Sequence, residues 1–214
     1  MTNELLKVLG ARYPLTAVDP EEFSVLKAKG MRFGVWAWKA EGLGHVSLMQ
    51  AKGFFGLMKM DTLIVNPTKI DLPLYSYDRI LAMGNDTLIA ELYDTTVAPF
   101  DASALDKVLS GAIELPERDP GVHWYDEIRL PQSLSKKGKK AQREAFDRLA
   151  LDHFSAWLKT DCAPLTDPEE KKRKTAAYVD GLLAQGGPST DVFKKALGEE
   201  KTALLFRKVL FGTE

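Results

Sequence analysis

The residues best suited to chemistry lie in the stretch LPLYSYDRILAM, where one carboxylate, Asp78, interrupts an apolar run. Strand alternation puts Leu74, Ser76, Asp78, Ile80 and Ala82 on one face and Tyr75, Tyr77, Arg79 and Leu81 on the other. A carboxylate beside Ile80 on a central strand must be solvated, paired or used. Burial disfavours its charged form and raises its pKa, which makes it a candidate proton donor near neutral pH. The competing reading is an edge-strand Asp78 paired with Arg79 or facing water. Other chemistries have less support. His45, His123 and His153 show no metal-ligand spacing, so no metal is expected. Cys162 follows Asp161, whose charge opposes thiolate formation, and Ser47, Ser76 and Ser110 lack a nucleophile-elbow context. No glycine fingerprint follows a strand and there is no phosphate loop.

The elements that would position Asp78 form a meander. From Val46 to Thr95, apolar runs are cut by Gly53, Pro67, Pro73 and the Gly84-Asn85-Asp86 turn, which predicts strands near 45–52, 56–66, 74–83 and 86–93 with a tight hairpin at Asn85-Asp86. Met31 to Lys39 alternates as a further strand, Trp36 and Trp38 on one face and Phe33, Val35 and Ala37 on the other. Gln50 shares a face with Val46 and Leu48, and Thr62 shares one with Met58, Met60 and Ile64. With Asp78, which shares a face with Ser76, these make three polar groups that converge on an apolar floor with Met58 and Met60 if the strands pair consecutively, which suits a large flat hydrophobic ligand. The competing picture is a sheet face whose Gln50 and Thr62 bond each other under a helix.

Helices are expected on either side of the strands. Asn3 to Leu9 and a segment from Asp19-Pro20-Glu21-Glu22 through Lys29 read as the first two. Asp101-Ala102-Ser103-Ala104 caps a short helix to Leu109, and Trp124 to Pro131 reads as one more strand. Ala141 to Lys159 has helical spacing of apolar residues, Asp167-Pro168-Glu169-Glu170 caps a helix ended by Gly186-Gly187-Pro188, and Thr190 to Phe211 makes two short helices broken near Gly198. Lys136, Lys137, Lys139, Lys140 and Arg143 form a basic run, read either as a solvated loop and helix face or as a docking site. The pattern implies an α+β fold, helices packed on a mostly antiparallel sheet, as a single domain over 1–214.

Bulk properties set wider bounds. The 214 residues are 45% hydrophobic and 28% charged with a net charge of -1, so nothing global argues for nucleic acid or an anionic membrane as partner. No run approaches the length of a membrane span and the start lacks signal-peptide character. One cysteine, Cys162, excludes an internal disulfide and fits a reducing cytoplasm.

Two stretches resemble the ferredoxin-dependent bilin reductases and their relative, red chlorophyll catabolite reductase. DTLIVNPTKIDLPLYSYDRILA is similar to the family's strand ending in Pro, short loop and Leu-Pro-aromatic-x-x-Asp. At the C-terminus, Tyr178, Leu197-Gly198-Glu199 and Val209-Leu210-Phe211 match the order and spacing of the family's closing segment. The resemblance implies a three-layer α/β/α sandwich with a central antiparallel sheet and a linear tetrapyrrole held between the sheet and the C-terminal helices. It implies no bound cofactor, electrons from ferredoxin or flavodoxin, and Asp78 as the central proton donor. Gln50 and Thr62 stand where phycocyanobilin-forming members have a Glu and a His, and Gly186-Gly187 where the family has Asn-Asp. Neither Gln50 nor Thr62 can replace those groups as an acid. Gln50, Thr62, Met60 and Ser76 are therefore expected to orient the ligand, and Lys136, Lys137, Lys139 and Lys140 to dock the electron donor. A binding or carrier protein that kept the pocket and lost most of the proton relay is the alternative.

Overall fold

The computed structural model describes residues 1–187 and 189–214; Pro188, expected in the helix-ending Gly186-Gly187-Pro188, lies outside the described residues. The chain begins with α1 (Thr2–Arg12) and then lays down β1 (Leu15–Val18), β2 (Val25–Ala28), β3 (Met31–Ala40), β4 (Gly44–Gly53), β5 (Met58–Pro67), β6 (Leu74–Ala82) and β7 (Asn85–Tyr93). After α2 (Ser103–Ser110) comes β8 (Leu134–Lys139), followed by α3 (Arg143–Lys159), α4 (Pro168–Gln185), α5 (Thr190–Leu197) and α6 (Glu199–Leu204). All eight strands belong to one antiparallel sheet in the order β1-β3-β4-β5-β6-β7-β8, with β2 beside β1 on the outer side of β3.

Alternation along each strand builds two cores, one per face. Leu63, Tyr75, Tyr77 and Leu88 meet Leu5 and Leu9 of α1 and Phe146, Phe154 and Trp157 of α3. Phe33, Met49, Ile64 and Tyr93 meet Tyr178 and Leu182 of α4, Phe193 of α5 and the C-terminal residues. The result is the expected α/β/α sandwich with a central antiparallel sheet. Past α6 the chain widens into a π-helical turn, Leu205–Leu210, whose last carbonyls have no helical partner. Side chains of the sheet supply one. His45 donates to Val209 O (2.8 Å), Ser47 to Leu210 O (2.7 Å) and Asn66 to Phe211 O (2.7 Å), pinning the C-terminus over β4 and β5.

Three expected elements differ. The segment through Lys29 is a 3-10 turn, Glu21–Phe23, followed by β2, because Leu26 and Ala28 alternate inward and Lys29 and Gly30, at φ 47 and 72, form a two-residue turn into β3. Trp124 to Pro131 is a 3-10 turn, Trp124–Glu127, held by Asp126 accepting from the His123 N–H. The hairpin expected at Asn85-Asp86 turns on Met83-Gly84 instead, since Ala82 pairs with Asn85 and Asp86 is needed inside the sheet. There it receives Arg79 in two hydrogen bonds, with both side chains almost fully buried.

Lys136 also departs from expectation. Lys136, Lys137 and Lys139 of the basic run lie on the edge strand β8, and alternation turns Lys136 inward to 4% exposure, where it donates to the carbonyls of Ala112 and Leu115 and to Glu117. It cannot take part in a docking surface; Lys137, Lys139 and Lys140 are exposed. A second buried pair joins Lys171 of α4 to Asp71, which also accepts from the N–H groups of Val97 and Ala98.

Truncating one member of a buried ion pair leaves an uncompensated charge and costs about 3 to 5 kcal/mol. Asp86→Ala strands Arg79, whose remaining carboxylate contact is the half-exposed Asp147 at 3.3 Å. Chemical denaturation should register a loss of about 3 kcal/mol, at the low end of that range. A loss below about 1 kcal/mol, the size of an exposed pair, would show that the pair is not structural.

Candidate functional site

A cavity of about 350 Å³ lies between the sheet and the C-terminal helices. Its floor is the face of β4 to β7 that carries Met49, Met60, Thr62, Asp78 and Glu91, and its roof includes Tyr178, Phe193, Phe206 and Phe211. Apolar surface dominates, as in sites for small organic ligands. Tyr93 and Tyr178 stack across the two layers at 4.2 Å between ring centroids, and Tyr125 meets Tyr93 edge-on at 5.6 Å. Tyr178 reaches this position because Trp124 packs against Gly181 one turn later, where a Cβ would fall 2.2 Å from the indole.

Asp78 sits at the centre of the floor. Register places it directly opposite Thr62, whose hydroxyl donates to Asp78 Oδ1. Burial pushes its carboxyl up to about 6; the Thr62 hydrogen bond opposes that shift and the negative charge of Glu91 adds to it. Arg79 points to the other face and is committed to Asp86, so the pairing of Asp78 with Arg79 considered from sequence does not occur. Asp78 is not on an edge either: β5 and β7 flank it.

Of the residues expected around the ligand, Thr62, Met60 and Ser76 line the cavity with Asp78, and Gln50 does not. The four-residue connection from Phe54 to Leu57 pairs Gly53 with Met58, which sets Met49 opposite Thr62 and Gln50 opposite Asp61. Gln50 therefore lies on the α1 and α3 face, where its amide donates to Asp61 Oδ1 at 3.3 Å while Thr2 donates to Oδ2 at 2.8 Å. The expected three-way convergence reduces to Thr62 and Asp78.

Sequence reasoning missed Glu91, Arg118 and His123, all at the cavity. Glu91 had the same signal as Asp78: an acid alternating with Ile89 and Tyr93 in an apolar strand. It is the diagonal neighbour of Asp78 on the adjoining strand, accepts from the Tyr93 hydroxyl at 2.7 Å and pairs with Arg129 at 3.3 Å. The cavity thus holds two carboxyls in different states of pairing, Glu91 with a cation and Asp78, among the described residues, without one. His123 stacks on Tyr125 at 4.8 Å with its Nδ1 3.7 Å from Asp126 Oδ1, and Arg118 donates to Ser135 Oγ at 3.1 Å. Both belong to an irregular loop with no periodicity to reveal them.

No family model and no curated protein matches the sequence. Among solved structures, the fold is similar to that of phytochromobilin synthase from tomato in complex with biliverdin, with a TM-score of 0.79 over 99% of this chain and 82% of that one. The two are 14% identical, so the likeness is one of fold.

The raised pKa has a stability consequence whose sign is fixed. Asp78 holds its proton up to about 6 when folded and only to 3.8 when unfolded. Stability is therefore fullest below the unfolded value and falls as pH rises through 6. The penalty is at most about 3 kcal/mol, and smaller to the extent that solvent reaches the cavity. Asp78→Asn removes it, so the variant should melt above the wild type near about pH 8, with the gap closing toward about pH 4. An equal gap at both pH values would mean that the folded and unfolded carboxyls titrate alike.

Proposed function

We propose that the cavity binds a linear tetrapyrrole and that the protein reduces it, with Asp78 as the proton donor. The observation that carries this reading is the carboxyl of Asp78, without a cation partner, on the apolar floor of an aromatic-lined cavity and with its pKa at about 6. The neighbouring fold, which was solved with biliverdin bound, supports the choice of ligand class. Adding two electrons and two protons across a ligand double bond requires an electron source and an acid. Ferredoxin or flavodoxin supplies the electrons one at a time, docking at the exposed Lys137, Lys139 and Lys140. Asp78 protonates the ligand radical, regains a proton from water and gives the second. At pH 7 about a tenth of the carboxyl is protonated, and a bound ligand that excludes water raises that fraction. Thr62 holds the carboxyl in position, while Met60 and Ser76 contact the ligand.

A carrier function is the second reading, favoured by the outward position of Gln50, which leaves the relay of the resembled family without its counterpart. One experiment separates the two. Biliverdin is titrated into the protein under anaerobic conditions and reduced ferredoxin is then added. The enzyme reading expects a bound spectrum followed by loss of the bilin band. Asp78→Asn should bind and take up one electron but stall at a radical visible by electron paramagnetic resonance, with turnover lowered roughly a hundred- to ten-thousand-fold. Binding without reduction in both proteins establishes the carrier; no binding in either rejects both readings.

A further inference from the structure

One end of the sheet carries an apolar projection that the cavity does not use. Three turns emerge there side by side, because Met31 pairs with Gly53, and Met58 with Ala82. The middle turn presents Phe54, Phe55 and Leu57, which are 55%, 109% and 66% exposed, and the next presents Met83 at 87%. Both are linked by the Met83 N–H donating to Leu57 O at 3.4 Å. Phe54, Phe55 and Met83 have φ of 51, 55 and 51, a left-handed conformation disfavoured for bulky side chains and usually given to Gly or Asn in turns. Backbone strain that holds apolar groups in water is not accounted for by the packing of the fold.

Behind the tips lies a row of cations. Lys27 pairs in register with Arg32, Arg32 with Lys52, and Lys52 with Lys59, so four positive side chains stand abreast on one face of β2 to β5. All four are exposed, and among the described residues none forms an ion pair. Asp61, the carboxylate one rung further back, is occupied by Thr2 and Gln50. Like charges directly opposite one another destabilise a sheet, so the row is not explained by the fold. The net charge of -1 concealed it.

We propose that this end of the sheet docks on an anionic lipid bilayer, with Phe54, Phe55, Leu57 and Met83 entering the interface and Lys27, Arg32, Lys52 and Lys59 meeting the headgroups. The depths match. Lys52 and Lys59 stand two residues behind Phe54 and Leu57, roughly 6 to 7 Å at about 3.3 Å per residue, and interfacial apolar groups enter the headgroup and acyl boundary by about 5 to 10 Å. A projecting tip favours a bilayer over an acidic protein, which would need a complementary hollow. Met31 and Met58, the residues next to the turns, line the cavity, so an apolar ligand would have a short path between bilayer and site.

The test is co-sedimentation of the full chain with phosphatidylcholine vesicles, with and without phosphatidylserine, at low and high salt and with no bilin present, so that it fails independently of the ligand reading. The wild type should sediment with the phosphatidylserine vesicles and be released by salt. Lys52→Glu with Lys59→Glu should weaken partition at least about tenfold. Phe55→Ser with Leu57→Ser should weaken it comparably at unchanged charge. The altered side chains are exposed, and circular dichroism checks that both variants fold. A wild type that stays in the supernatant overturns the proposal. So does undiminished binding of the serine variant, which would reduce the effect to charge adsorption, or binding of soluble polyglutamate in preference to vesicles, which would indicate an acidic protein partner.

Discussion

The cavity floor depends on strand alternation, which puts Asp78 on one face of the sheet and sends Arg79 to the other. Adjacent residues of a strand point to opposite faces, so Asp78 and Arg79 cannot share an environment. Arg79 enters the α3 side, where Asp86 of the neighbouring strand meets it with both oxygens. The nearest cation in sequence is thereby withdrawn from Asp78, and desolvation is left to dominate its protonation. Had the turn fallen at Asn85-Asp86 as expected, Asp86 would be in solvent and Arg79 without its buried partner. The position of the hairpin thus gives Arg79 its buried partner, while strand alternation alone keeps that cation away from Asp78.

The roof of the cavity is fixed by polar contacts of a different kind. A π-helical turn leaves carbonyls that need donors, and β4 and β5 provide them from His45, Ser47 and Asn66. Phe211 is thereby placed against Tyr178, and Phe206 against Phe211. At the start of α4, Lys171 is held by Asp71 and by the carbonyls of Leu72 and Thr95, which fixes the helix that carries Tyr178. The apolar volume is kept open by walls anchored outside it.

Much of the arrangement could be read from the residues alone because period-two alternation is a local property. The four central strands and the face of Asp78 are of this sort, and the helix cap at Asp167 is equally local, whereas Asp101 stands one residue before the N-cap of α2 and accepts from the Ser103 N–H. What failed depended on register or competition. Gln50 was placed on the wrong side because the alternation of β4 and of β5 says nothing about which residues pair; the length of the Phe54–Leu57 turn decides that. The segment after Asp19 has a helix's opening residues, yet burial of Leu26 and Ala28 on β3 outweighs them. Lys136 looked like solvent-facing charge, and only the tertiary fold supplies the carbonyls and Glu117 that satisfy it inside.

The sheet's two margins bear on how the molecule behaves in a crowded solution. On one side β1 and β2, four residues each, divide the outer edge of β3 between them, with a 3-10 turn in the gap. On the other, β8 presents Lys137 and Lys139 and is bridged by Glu117 at Lys136. Open strands recruit copies of themselves through unpaired N–H and C=O groups, and short, interrupted or charged edges suppress that recruitment. Neither margin offers a long, flat, neutral template, so sheet-to-sheet polymerisation is guarded against at both ends.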